Sequence, residues 1–225
     1  MIPLKDDLRS STRPFVTYLI LAVNIAVFLY ETSLGRNVND FIFRFGAIPR
    51  DLFHPAGPAI YLTLVSSMFI HAGFMHILGN MLFLWVFADN VEDRIGHVKF
   101  LLFYLACGIA GSLLHSLTSP ASAVPMVGAS GAISGVLGAY ILFYPRARVM
   151  ALIPLGIFMR MTYLPSIVFL GFWFLYQLLL GLLTVGAGGG GVAYFAHIGG
   201  FAAGILIALP FKFYKKKEGA DYKIF

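Results

Sequence analysis

Long apolar stretches separated by short polar segments run through this sequence of 225 residues. A helix needs ~20 mostly apolar residues to cross the hydrocarbon core of a bilayer. Six stretches approach that length, and the two shortest need polar flanking residues to complete a crossing. We therefore expect an all-α, polytopic membrane protein that forms a single six-helix bundle. The expected spans are about Phe15–Thr32, Ala72–Phe87, Val98–Leu117, Ala129–Tyr144, Met161–Val185 and Val192–Phe211.

Two segments between these stretches are interpreted as lying at the membrane surface. The apolar run Val149–Met159, bounded by Arg148 and Arg160, is too short to cross a bilayer. The connection 35–70 is longer than an ordinary helix connection. Its apolar cluster predicts an interfacial segment, and an irregular exposed loop is the alternative. The cluster consists of Phe41, Ile42, Phe43 and Phe45.

The composition supports a chain that is exposed to lipid. The sequence is 59% hydrophobic and 12% charged, whereas soluble domains carry roughly 25% charged residues. Cys107 is the single cysteine, so an internal disulfide cannot form. The first apolar run, Pro14 to Tyr30, is too long for a signal peptide and lacks a cleavage site, so we expect it to remain as an anchor.

The basic residues favour one orientation, because Lys and Arg are retained on the cytoplasmic side. With the N-terminus inside, 13 of the 16 basic residues are cytoplasmic and only Arg36, Arg44 and Arg50 are outside. Residues 1–14 and 212–225 are then cytoplasmic tails. The net charge of +6 is thereby explained by topology and by contact with membrane lipids. Nucleic acid is not an expected partner.

Four polar side chains of the spans fall at similar depths below the outer surface. At ~1.5 Å per helical residue, His76 lies ~6 Å deep, Asn80 ~12 Å and His197 ~8 Å, and Ser130 lies a few ångström deep. The outer half of the hydrocarbon is ~15 Å thick. Because polar groups are costly in lipid, this cluster predicts a functional site. Taken singly, such a residue is more often a structural hydrogen bond within or between helices than a catalyst.

Ser130 and His197 have the chemistry of a nucleophile and its general base. The third member of such a site is usually a carboxylate. The outer side offers only three carboxylates, and none lies at the depth of His197. They are Glu31, Asp40 and Asp51. The sequence therefore favours a Ser130–His197 dyad.

Oxyanion donors are expected from His76 and Asn80, which are four residues apart on one helix face. The backbone N–H of Ser130, in the first turn of a helix, is a third candidate. Two glycine pairs at GxxxG spacing would let the helices approach closely. These pairs are Gly131 with Gly135 and Gly200 with Gly204.

The remaining polar residues of interest are interpreted as structural. Asn24 and Gln177 are read as interhelical contacts, and His54, His71, His97 and His115 as interface or loop residues.

These residues resemble the motifs of the rhomboid family of intramembrane serine proteases. The segment Gly128–Gly135 resembles its GxSGxxxG nucleophile motif, and Ala196–Gly204 resembles its AHxGGxxxG base motif. His76 with Asn80 resembles its HxxxN motif, which is assigned to oxyanion binding. The resemblance implies a prokaryotic six-span serine endopeptidase of the plasma membrane that needs no cofactor or metal. Its implied substrates are single-pass transmembrane proteins, cut near the top of the transmembrane segment.

Two features depart from the family pattern. The first long loop lacks the Trp-Arg pair that many members carry, and Ser134 stands where some members place an aromatic residue against the catalytic histidine. The main alternative is therefore a weak or inactive rhomboid-like protein that binds membrane proteins. A transporter is less favoured because no internal repeat is visible. An HExxH zinc-protease motif is absent.

Access to the site is expected from two places. The glycine-rich loop Gly186–Gly191 precedes His197 closely and is predicted to be a lid, since glycine is costly to order. An ordinary flexible connection is the alternative for this loop. The fifth span is predicted to be a side gate for the substrate helix. Its gate residues are Phe169, Phe172 and Trp173.

Overall fold

The computed structural model describes residues 1–156, 158–184 and 191–213. Its long helices are α1 (Phe15–Ser33), α5 (Phe74–Ile95), α6 (His97–Thr118), α7 (Ser130–Phe143), α8 (Ser166–Thr184) and α9 (Tyr194–Lys212). The connection after α1 holds the short helices α2 (Val38–Phe45), α3 (Pro49–Phe53) and α4 (Thr63–Ser66). It also holds 3-10 turns at Gly35–Asn37, Pro58–Leu62 and Ser67–Phe69.

Five helices are long and apolar enough to cross a membrane, namely α1, α5, α6, α8 and α9. The predicted polytopic helical bundle is thereby confirmed. The fourth predicted span, α7, has only 14 residues and is therefore ~21 Å long. Ser134 and most of its other residues are buried, because α5, α6 and α9 surround it. This helix lies at the centre of the bundle and is covered by other helices. It therefore does not need to be as long as a helix that is surrounded by lipid.

A small antiparallel sheet, which the hydrophobic pattern did not predict, packs on the bundle. Its strands are β1 (Ile2–Asp6), β2 (Arg148–Leu155) and β3 (Phe158–Pro165), in the order β1-β2-β3. Val149 and Ala151 are fully buried and join the same apolar core as the helices. The sheet satisfies the backbone hydrogen bonds of an apolar run that is too short to span the membrane.

The predicted start of the fifth span is therefore wrong. Met161–Pro165, assigned to the fifth span, belongs to β3, and α8 begins at Ser166. Residues 1–14 were expected to be a cytoplasmic tail, and α1 does begin at Phe15. Within this segment, residues 2–6 form β1 and pair with β2, and its cytoplasmic location stays a prediction. Residues 214–225, most of the predicted basic tail, lie outside the described part of the chain.

Buried carboxylates hold the N-terminal segment against the bundle. Glu92 accepts hydrogen bonds from the backbone N–H groups of Val16 (2.9 Å) and Thr17 (2.7 Å), which caps the start of α1. Asp6 accepts from the Tyr140 hydroxyl (2.5 Å) and from Asn90 Nδ2 (2.9 Å). Burial raises the pKa of Asp6 to about 7. These contacts fix the first helix and β1 relative to α5 and α7.

The connection 35–70 is ordered rather than an irregular loop. Ala47 pairs with Met126 through two backbone hydrogen bonds, and the Ser66 hydroxyl donates to the Phe45 carbonyl. On α2, Phe43 and Phe45 are exposed. Their apolar surface agrees with the predicted interfacial position, which stays a prediction.

Helices α7 and α9 pack backbone to backbone through the two glycine pairs. A Cβ atom at Gly200 would overlap the carbonyl oxygen of Gly131, and one at Gly204 would overlap that of Gly135. Helix α6 joins the contact through Gly111, where a Cβ would lie 2.5 Å from the Ala196 carbonyl oxygen. This close approach brings the N-terminal ends of α7 and α9 together.

Candidate active site

Ser130 and His197 meet where α7 and α9 begin. Ser130 is the first residue of α7, and His197 lies in the first turn of α9. The Ser130 Oγ atom is 2.8 Å from His197 Nε2, an ordinary hydrogen-bond distance. Two residues 67 positions apart can meet in this way because the glycines allow the two helices to touch.

The imidazole of His197 is buried and is contacted by two elements. Its Nδ1 atom is 2.9 Å from Gln177 Oε1 on α8. Its ring lies beside Trp173, at a centroid distance of 6.0 Å, and edge-on to Tyr194, at 6.4 Å. Sequence reasoning identified Gln177 as an interhelical contact but could not name its partner, because an isolated amide in an apolar helix carries no pairing information.

The predicted oxyanion residues, His76 and Asn80, lie beside Gly128, two residues before Ser130. Gly128 has a φ of +118°, and a Cβ there would lie 2.7 Å from the ring of His76 and 3.6 Å from Asn80 Nδ2. Glycine is therefore needed both for the backbone conformation and for the space. Asn80 Nδ2 is buried and has no hydrogen-bond partner among the described residues. This amide is therefore available to donate a hydrogen bond to a group bound beside Gly128.

A cavity of about 20 Å³ lies next to Ser130. It can hold about one water molecule. Its walls come from the connection before α5, from the segment before α7 and from α6 and α9, and several wall residues are small. Among them are Ser67, Gly108, Ser112, Gly128, Ala193 and Ala196.

The carboxylates considered in the sequence lie elsewhere. Glu31 is buried and accepts from the backbone N–H of His71 at 3.2 and 3.3 Å, Asp51 pairs with the neighbouring Arg50, and Asp40 is exposed. Within the described residues, the recorded side-chain hydrogen bonds of His197 go to an amide and a hydroxyl.

Two other polar residues lie near the site. The His71 ring is 5.2 Å from that of His76. Burial, and then the neighbouring His76, lower the pKa of His71 to about 4, so this residue is neutral. The hydroxyl of Ser134 donates to the Ser130 carbonyl at 2.6 Å, one turn back along its own helix.

The three predicted gate residues occupy different environments. Phe169 is fully buried and packs against Phe87 at 6.2 Å. Phe172 is 62% exposed, whereas Trp173 is half-buried and reaches both His197 and Phe201. Most of the predicted lid, residues 186–190, lies outside the described residues. The role of this region in substrate access stays a prediction.

The fold and the site together define a polytopic helical membrane protein with a serine–histidine pair inside its bundle. A sequence profile of the Rhomboid domain matches residues 59–212, and the chain belongs to the rhomboid family.

Several named relatives are similar to part of this chain. Rhomboid protease GluP of Bacillus subtilis (strain 168) is 38% identical over 128 residues, which cover 56% of this chain and 24% of that protein. Rhomboid protein 1, mitochondrial, of Saccharomyces cerevisiae is 30% identical over 140 residues, which cover 60% of this chain and 38% of that protein. The putative rhomboid protease YdcA of Bacillus subtilis is 41% identical over 78 residues, covering 35% and 39%. The matched region therefore spans between a quarter and two fifths of these relatives.

Proposed function

We propose that this protein is an intramembrane serine protease that cleaves transmembrane segments of membrane proteins with a Ser130–His197 dyad. The observation that carries the proposal is the 2.8 Å contact between Ser130 Oγ and His197 Nε2. A serine hydroxyl becomes a competent nucleophile when a neighbouring imidazole accepts its proton. The named rhomboid proteases among the relatives support the same activity.

The geometry supports a two-step acyl transfer. Ser130 Oγ attacks the carbonyl carbon of the scissile peptide while His197 Nε2 takes the hydroxyl proton. The imidazolium then gives this proton to the leaving nitrogen, which releases the amine product and leaves an acyl ester on Ser130. A water molecule, deprotonated by the same imidazole, attacks the ester carbonyl. The bond to Ser130 Oγ then breaks, the acid product leaves, and the imidazolium returns its proton to Ser130 Oγ. The small cavity beside Ser130 has room for such a water.

The oxygen of the scissile carbonyl becomes negatively charged when Ser130 attacks, and hydrogen-bond donors near Gly128 can stabilise this charge. Ser130 is the first residue of α7, where the first four backbone N–H groups lack intrahelical partners. The Asn80 Nδ2 amide group lies next to Gly128, and it is buried without a hydrogen-bond partner among the described residues. The His76 ring lies next to the same glycine. We assign these three groups to stabilisation of the oxyanion.

Replacing Asn80 with alanine is expected to lower kcat by ~100- to 1000-fold while KM stays close to the wild-type value. Loss of one oxyanion donor typically costs ~2.7–4 kcal/mol in the transition state. Steady-state kinetics in proteoliposomes measures both constants. Asn24→Ala, which removes a buried amide from α1, is the control and should leave kcat unchanged. A mutant with raised KM and normal kcat would make Asn80 a substrate-binding residue instead.

The substrate and the orientation complete the proposal. The chain is placed in the plasma membrane of a prokaryote with both termini in the cytoplasm, so that Ser130 opens toward the outer surface. The substrates are single-pass membrane proteins. Their transmembrane helix arrives beside α8, where Phe172 faces outward and Trp173 faces the site.

The test is labelling with a fluorophosphonate probe followed by mass mapping of the modified residue. The expected result is one phosphonylated residue, Ser130, together with cleavage of a transmembrane substrate in proteoliposomes. A folded protein that binds such a substrate, reacts with no probe and cleaves nothing would instead be an inactive rhomboid-like binder.

A further inference from the structure

The Nδ1 atom of His197 has a specific partner on a third helix. Gln177 Oε1 lies 2.9 Å from it, and both side chains are buried. An amide oxygen can only accept a hydrogen bond, so His197 Nδ1 must carry the proton in this pair. The second ring nitrogen, Nε2, is then unprotonated and faces Ser130 Oγ at 2.8 Å. This tautomer is the one that can remove the serine proton.

We propose that Gln177 is the positioning residue of this site and selects the reactive tautomer of His197. The inference rests on the proposed protease function. The two aromatic neighbours, Trp173 and Tyr194, contact the ring by its face and edge at 6.0 and 6.4 Å. Ring contacts of this kind limit the tilt of the imidazole but do not distinguish Nδ1 from Nε2. Among the described residues, Gln177 provides the recorded hydrogen bond to Nδ1.

An amide suits this position better than a carboxylate. Gln177 lies in the apolar helix α8, is only 7% exposed, and stands where an unpaired charge would be costly. The Nδ1 proton is present in both the imidazole and the imidazolium, so the neutral Oε1 acceptor is used throughout the reaction. Gln177 therefore orients the base without bringing a buried charge. Gln177 also provides a contact to the imidazole that Ser134 does not provide, because the Ser134 hydroxyl bonds to its own helix.

The test compares Gln177→Met with Gln177→Glu. Methionine keeps the length but removes the acceptor, which leaves the Nδ1 proton buried and unpaired. We expect kcat to fall ~10- to 100-fold, with KM within about twofold of wild type and the rate of fluorophosphonate labelling falling in parallel. Glutamate keeps an acceptor oxygen in place, so Gln177→Glu should lose clearly less activity than Gln177→Met. Asn24→Leu is the matched control, because it removes another buried amide far along the sequence from the site.

The spectroscopic readout is the ¹⁵N NMR spectrum of protein labelled at histidine. The His197 signals are assigned as those that disappear in His197→Ala. Wild type is expected to show a protonated Nδ1 and an unprotonated Nε2, and Gln177→Met is expected to show a mixture of the two neutral tautomers. A methionine variant with wild-type kcat and an unchanged tautomer would overturn the inference, even if Ser130 still labels. Equal losses in the methionine and glutamate variants would also overturn it, because packing rather than the acceptor would then matter. A wild-type protein that reacts with no probe and cleaves no transmembrane substrate would instead reject the protease assignment itself, which separates the two failures.

Discussion

Ser130→Ala is expected to abolish proteolysis, with a loss on the order of 10⁴-fold or more, while the protein still folds. Removal of the nucleophile from a serine protease leaves only the residual rate due to binding and the oxyanion site. Alanine keeps the helix start of α7 and removes one hydroxyl, whose recorded partner is His197 Nε2. The measurement is cleavage of a transmembrane substrate by purified protein in proteoliposomes.

Ser134→Ala is the matched control for this loss. Its hydroxyl is one turn deeper on the same helix, but it donates to the Ser130 carbonyl and not to the imidazole. We expect activity within a few-fold of wild type. Retained cleavage by Ser130→Ala, together with its loss in Ser134→Ala, would move the nucleophile to Ser134 and invalidate the dyad.

The second large effect is expected from Gly204→Ala, which should destabilise the bundle by about 3 kcal/mol, the upper end of the usual cost of overpacking. A Cβ atom at this position would overlap the carbonyl oxygen of Gly135, and overpacking of a rigid backbone contact forces the helices apart. Helices α7 and α9 can separate only by pulling Ser130 away from His197. Unfolding in mixed detergent micelles and fluorophosphonate labelling should therefore decline together.

Gly171→Ala provides the comparison for the cost of adding a methyl group. Gly171 lies within α8, and a Cβ there would meet nothing within 4 Å among the described residues. Alanine is the better helix former by roughly 1 kcal/mol, so this variant should be as stable as wild type or slightly more so. If Gly204→Ala were as stable as Gly171→Ala, the close packing of α7 on α9 would not be a requirement of the fold.

Much of the site was predictable because its signals are local. Positions of Lys and Arg together with apolar length predict the spans, and helical rise then places Ser130, His197, His76 and Asn80 at similar depths. The glycine spacings predict close contact between helices, because glycine has no side chain to keep two helix backbones apart. The structure brings these four side chains together around the start of α7, and both glycine pairs lie in the contact between α7 and α9.

The partner of Gln177 and the small sheet were decided only by tertiary structure. An amide in an apolar helix could bond to any facing helix, and only the packing of α8 on α9 directs it to His197. Strand β1 pairs with residues almost 150 positions away, a contact for which neither segment carries a periodic signal. The apolar run after α7 is ambiguous between strand and helix by composition. It forms a strand because β1 on one side and β3 on the other satisfy its backbone hydrogen bonds.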